Sequence, residues 1–163
     1  MPHDAVSAVL RRFGGRPCFR IHGRASYEAD WHPIDVFATR RRDRTSRGLL
    51  AGTCITWTAN IIVVGRDFAE TVLHEQRREP ASRDRPVMVR GDRLRAGRRD
   101  QFGLATCSEI LAHECGHTGQ ARRLGLWYWP LGAAFTLFRE GDHWWNRFEN
   151  EASATGQFGG IIG

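Results

Sequence analysis

Two kinds of hydrophobic spacing alternate along this chain. Residues 53–64, TCITWTANIIVV, are β-branched and aromatic and close at Gly65, which predicts a strand. Cys18-Phe19-Arg20-Ile21, within a mixed stretch at 16–39, reads as a shorter strand-like piece. Helical spacing recurs at Val6, Val9, Leu10 and Phe13 before Gly14-Gly15, and again in a short helix from Asp67 to Glu75. Thr106-Cys107-Ser108-Glu109 fits a capping box, so a helix is expected from there to about Leu124, stopped by Gly125. A last helix is expected from near Asp142 through HWWNRFENEASATGQ, while the tail FGGIIG is too rich in glycine to assign.

The segments between these elements are of two sorts. Arg40 to Arg44 is a charge run that reads as a solvated loop. Residues 77–99 are polar and Arg-rich, broken only by Val87-Met88-Val89 as a short strand, and look like a surface insertion that can act as a flap. Residues 126–138, LWYWPLGAAFTLF, are instead almost wholly apolar. They are too short to span a bilayer and carry Pro130, so core packing is expected, with contact to a membrane surface or a partner as the alternative.

Composition narrows the class. A length of 163 residues favours one domain over 1–163, with a sheet-containing part at 1–105 and helices at 106–156. Hydrophobic residues at 41%, with six Trp and nine Phe, exclude wholesale disorder. No uncharged, proline-free run reaches 18 residues, and the N-terminus lacks an apolar signal region, so a cytoplasmic protein is expected, with export by a signal-less secretion system left open. The net charge is +6 and every basic residue is arginine. Such a set can bind phosphate, but charge alone does not single out nucleic acid, and none is expected as a partner. Cys18, Cys54, Cys107 and Cys115 form no CxxC pair and read as reduced, buried thiols.

The chemistry lies in the capped helix, at His113-Glu114-Cys115-Gly116-His117. Residues four apart sit one turn above each other, so two imidazoles can aim nitrogen at one ion. Glu114, about 100° round the helix, can reach a water at that ion without ligating it. A chain with this His and Glu content carries the pattern by chance about 0.016 times. Ile110, Ala121 and Leu124 flank the histidine face, so the imidazoles should be buried and need partners. Ala112, Gly116 and Gly119 line another face, where helix-interior glycines imply close approach by a second backbone.

A catalytic zinc site uses three protein ligands. The candidates for the third are His143, Glu149 and Glu151 on the last helix, with Glu151 the choice and His74 a weaker alternative. Gln120, one turn beyond His117, can orient a ligand or substrate; His143, Tyr128 and Arg147 are candidates to stabilise an oxyanion; Arg122 and Arg123 read as solvated.

HECGH followed by Asn150-Glu151-Ala152 resembles the gluzincins, the thermolysin-like zinc metallopeptidases. The longer string HECGHTGQ, then Leu124-Gly125, resembles small bacterial HExxHxxQ zincin-like domains found beside toxin and injection systems. Glu149-Asn150-Glu151-Ala152 is similar to the E-x-E-A of small phage-repressor-cleaving peptidases. The resemblance covers about residues 106–156. It implies His113, His117 and Glu151 as ligands of one zinc per chain, and Glu114 as general base. In gluzincins an Asp four residues beyond the ligating Glu orients a histidine; counted from Glu151 that position is Thr155.

The expected fold is α+β and zincin-like, a small antiparallel or mixed sheet packed on the HExxH helix and a C-terminal glutamate-bearing helix, with Thr53 to Val64 as the strand bordering the cleft. The expected function is zinc-dependent hydrolysis of peptide bonds in a peptide or protein substrate, with Glu114 passing a proton from water to the leaving amine. The alternatives are a non-catalytic zincin-like metal-binding domain serving as scaffold or partner module, and, further off, an Arg-rich nucleic-acid binder.

Overall fold

The computed structural model describes residues 15–42, 54–76, 107–137 and 142–162, with Ala8 and Arg11 as isolated positions. The pattern at Val6–Phe13, the segment 77–99 and the Thr106 cap lie outside the described residues.

Strands β1 (Arg16–Ala25), β2 (His32–Ala38), β3 (Cys54–Thr58), β4 (Ile61–Val64) and β5 (Gly156–Ile162) form one mixed sheet in the order β3-β4-β2-β1-β5. Only β2 and β4 run parallel; the other neighbours are antiparallel. The helices are α1 (Arg66–Gln76), α2 (Cys107–Leu124), α3 (Tyr128–Leu137) and α4 (Asp142–Thr155), and a 3₁₀ turn at Gly125–Trp127 joins α2 to α3. The architecture is therefore α+β.

Alternation along the strands sorts the two faces. Ile62 and Val64 of β4, with Ile34, Val36 and Ala38 of β2 and Ile21 of β1, point to the face covered by α1 and α2. There they meet Phe68, Ala69 and Val72 of α1 and Cys107, Leu111 and Cys115 of α2. Ile61 and Val63 point the other way, onto Phe37 and Ile55. All four residues of β4 are thus buried, which is why its sequence shows no polar alternation. On that second face the directly paired Arg20 and Asp35 form a 2.6 Å ion pair.

Three expectations need correction. The run 53–64 is not one strand: β3 and β4 form a hairpin around Ala59-Asn60, and the Asn60 carbonyl accepts from the Asp35 amide of β2. The last helix ends at Thr155 rather than running through Gln157, and the chain continues into the unassigned tail as strand β5, because β1 supplies a pairing edge and the glycines suit it. Gly160 has φ 111° where the register with β1 shifts, and a Cβ on Gly159 would strike the Trp31 ring. The apolar stretch 126–138 does not sink wholly into the core, since Leu126 is 86% and Trp127 69% exposed. Trp129 instead covers the β3 edge, its indole N–H donating to the Trp57 carbonyl at 2.7 Å. Among the described residues, no helix is long and apolar enough to cross a membrane.

Helix α2 ends as expected, at Gly125 with φ 58°. Cys107 and Cys115 are buried, but Cys54 is only half-buried and Cys18 is exposed, contrary to the reading of four buried thiols; all four are free. Burial pushes the Cys115 thiol up to about 12, so it behaves as a small apolar side chain.

Candidate metal centre

From Glu114 to Ala121 every residue of α2 is buried, because the helix has neighbours on several sides. The sheet covers one side and α4 another. The glycines admit these neighbours: a Cβ on Gly116 would collide with the backbone of Ala152 in α4, and one on Gly119 would meet the Ala25 side chain of β1. Gly156 likewise lies against the Ala112 carbonyl of α2. Gly116 is therefore where the last helix crosses the HExxH helix, and this crossing brings a carboxylate to the histidines.

That carboxylate is Glu149. Its Oε2 lies 3.0 Å from His113 Nε2 and 3.3 Å from His117 Nε2, and the two Nε2 atoms are 3.1 Å apart. Both histidines are largely buried, at 14% and 8% side-chain exposure. Glu151, the expected ligand, is engaged elsewhere: its Oε1 pairs with Arg123 at 2.8 Å, and its Oε2 accepts from Gln120 at 3.1 Å and Arg123 at 3.0 Å. The physical reason is helical phase. Residues two apart point about 200° away from each other, so Glu149 and Glu151 cannot both face α2 in the same way. The face in contact is Glu149, Ala152 and Ser153, the i, i+3, i+4 spacing of a packing stripe, with Gly156 against α2 just beyond the helix end; that run of small residues after an acid was the signal available in the sequence.

Moving the glutamate also moves its companion. Four residues beyond Glu149 is Ser153, whose hydroxyl lies 2.8 Å from His113 Nδ1. Thr155, counted from Glu151, instead donates to the Glu151 carbonyl in its own helix at 2.7 Å. His117 Nδ1 faces Gln120 Oε1 at 2.8 Å.

The donor set fits a small divalent ion. Ligands 2.0–2.1 Å from a tetrahedral centre lie about 3.3 Å from each other, close to the three separations found here. Two imidazoles and one carboxylate match the preference of zinc, whereas calcium and magnesium favour sites made of oxygen.

Glu114 projects from the same helix toward β3. The Thr56 hydroxyl lies 2.8 Å from Glu114 Oε2 and 3.0 Å from its backbone oxygen. Phe148 stacks against His117 with centroids 5.6 Å apart, and Tyr128 packs on Phe148 at 5.8 Å. Burial, with Glu114 and Glu149 nearby, pushes the Tyr128 phenol far above its usual range, so it stays protonated. His74 is exposed on α1 and does not join the cluster. The side chains of His143 and Arg147 lie outside those described. Arg122 is not solvated: it grips Glu28 with two bonds of 2.6 and 2.7 Å and donates to the Ala59 carbonyl at 2.6 Å.

In metal-free protein His117 and Glu149 form an ion pair. For Glu149, burial opposes ionisation, but the bonds from His113 and His117 outweigh it and hold its carboxyl at about 2. For His117, burial opposes the charged form, but Glu149 outweighs it and raises the ring to about 9. The signs follow from linkage. The His117 share of stability is complete below its ordinary 6.5 and is lost as pH rises through about 9. The Glu149 share is complete above its ordinary 4.5 and is lost as pH falls through about 2. Chelator-treated protein should therefore exceed a Glu149→Gln variant in thermal stability most between 4.5 and 6.5, with the gap closing on both sides. Paired melting curves from about pH 3 to about pH 10 read this directly; a gap that does not vary with pH contradicts the ion pair.

Compared with protein families, curated proteins and solved structures, the chain finds no match.

Proposed function

We propose that this protein is a zinc-dependent metallopeptidase acting on a peptide or protein substrate. The observation that carries the reading is the convergence of His113 Nε2, His117 Nε2 and a Glu149 carboxylate oxygen within 4.8 Å, with Glu114 on the same helix as the two histidines. With Glu149 in the third place, the gluzincin resemblance rests on HECGH and no longer on Asn150-Glu151-Ala152; Ser153, four residues beyond Glu149, lies 2.8 Å from His113 Nδ1, where that pattern has an Asp.

In this reading His113, His117 and Glu149 hold the metal. Zinc in such a setting supplies Lewis acidity, polarising a carbonyl and making water acidic near neutral pH. Glu114 takes a proton from the attacking water and returns it to the leaving amine. Thr56 holds the Glu114 carboxylate toward β3 and limits its rotamers. Tyr128, which keeps its proton and packs on Phe148 beside His117, is a donor that can serve a developing oxyanion. Trp57 and Trp129, with ring centroids 5.7 Å apart, line the β3 edge and offer an apolar wall to substrate side chains.

The test is elemental analysis followed by cleavage of a peptide library. Wild type should carry one zinc per chain, Glu149→Ala none, and Glu151→Ala a substantial fraction. Cleavage should vanish on chelation and return with zinc. One zinc without cleavage of any peptide would favour the metal-binding scaffold; no zinc would remove both readings.

A further inference from the structure

We infer that Gln120, Glu151 and Arg123 form a positioning relay that sets which nitrogen of His117 carries the hydrogen, leaving the Nε2 lone pair for the ligand cluster. The inference rests on the metal-site reading above and gives Glu151 a role there other than ligation.

The argument is an account of donors and acceptors. Gln120 is fully buried, so its amide must find all its partners within the protein. One end of the amide lies 2.9 Å from the Phe148 carbonyl and 3.1 Å from Glu151 Oε2. A carbonyl and a carboxylate only accept, so that end is the NH₂ group, and both its hydrogens are used. The reversed amide would set its oxygen against two other oxygens. Gln120 Oε1 therefore faces His117 Nδ1, at 2.8 Å, and an amide oxygen can only accept. His117 must carry its hydrogen on Nδ1. In the neutral ring Nε2 then presents its lone pair to His113 and Glu149, the form that ligates a metal.

His113 is held differently. Its Nδ1 faces the Ser153 hydroxyl, which can donate or accept and so does not select a tautomer. Selection thus falls on His117, and it depends on the two acceptors of the Gln120 amide, the Phe148 carbonyl and Glu151, of which only Glu151 is a side chain. Arg123 grips that carboxylate with contacts of 2.8 and 3.0 Å. The relay also ties α2, which supplies Gln120 and Arg123, to α4, which supplies Glu151 and Phe148. These are the helices that carry the three proposed ligands.

The test measures zinc affinity by competition with a chromophoric chelator, and the visible spectrum of the cobalt-substituted protein, on the full chain. Gln120→Leu should weaken zinc by about 10–100-fold and shift the cobalt bands. Glu151→Leu should act in the same direction, and Glu151→Gln, which keeps an acceptor for the Gln120 amide, should recover most of the loss. A merely structural role would lower the melting temperature of the metal-free protein without this rescue or the spectral change. Wild-type affinity and spectrum in Gln120→Leu would overturn the relay. So would complete loss of zinc in Glu151→Gln, which would place Glu151 among the ligands. If Gln120→Leu does not fold, the Glu151 pair decides, since that side chain is 30% exposed. Absence of zinc from wild type would overturn the metal site and the relay together, whereas tight wild-type binding with unaffected variants would overturn the relay alone.

Discussion

Replacing Glu114 with glutamine should leave zinc in place and lower peptide turnover by about 10²–10⁴-fold. Glu114 stands outside the group of converging ligand atoms, so its loss removes no donor from the metal. Glutamine has nearly the same shape, and its side-chain oxygen can still accept from the Thr56 hydroxyl that now lies 2.8 Å from the carboxylate. The contact between α2 and β3 should therefore survive, and the thermal melt should move little. What is lost is a group able to take and return a proton. Zinc content, melting temperature and turnover measured on one preparation separate these effects. Normal turnover in the variant would reduce Glu114 to a buried tie between helix and sheet and remove the proposed base.

Adding one methyl group at Gly116 should destabilise the protein and weaken the metal site, although alanine is the better helix former. Propensity alone favours Ala over Gly by about 1 kcal/mol. Against this stands a collision of the new Cβ with the carbonyl, carbonyl carbon and Cα of Ala152, which are backbone and cannot rotate aside. Overpacking of this kind costs about 1–3 kcal/mol, so the collision wins. Relief requires α4 to move off α2, carrying Glu149 away from the histidines. Gly132→Ala on α3 is the control, because a Cβ there meets nothing within 4 Å and only the propensity gain remains. Denaturant unfolding of the two variants should give opposite signs, with zinc affinity falling only for Gly116→Ala. A neutral Gly116→Ala would mean that α4 can shift without cost, and that the helix crossing does not set the site.

The two substitutions mark the boundary between local and tertiary information. His113, Glu114 and His117 were legible in the sequence because the α-helix imposes their relation: four residues make one turn, and one residue makes 100°. The glycine stripe was legible too, since glycines inside a helix imply a close neighbour, and α4 is that neighbour at Gly116. The chain also determined the helix limit at Gly125 and the strand character of 54–64.

The carboxylate that meets the histidines is 32 residues beyond His117, and no local rule spans that distance. Whether Glu149 or Glu151 meets the histidines depends on the rotation of α4 about its own axis, set where Ala152 packs on Gly116. The tail became a strand only because β1 offered an edge to pair with. Arg122 read as solvent-facing because its partner, Glu28, is 94 residues distant. Sequence determines geometry as far as the helical repeat reaches, whereas the meeting of two helices is decided by which atoms can approach, and here a missing Cβ decides it.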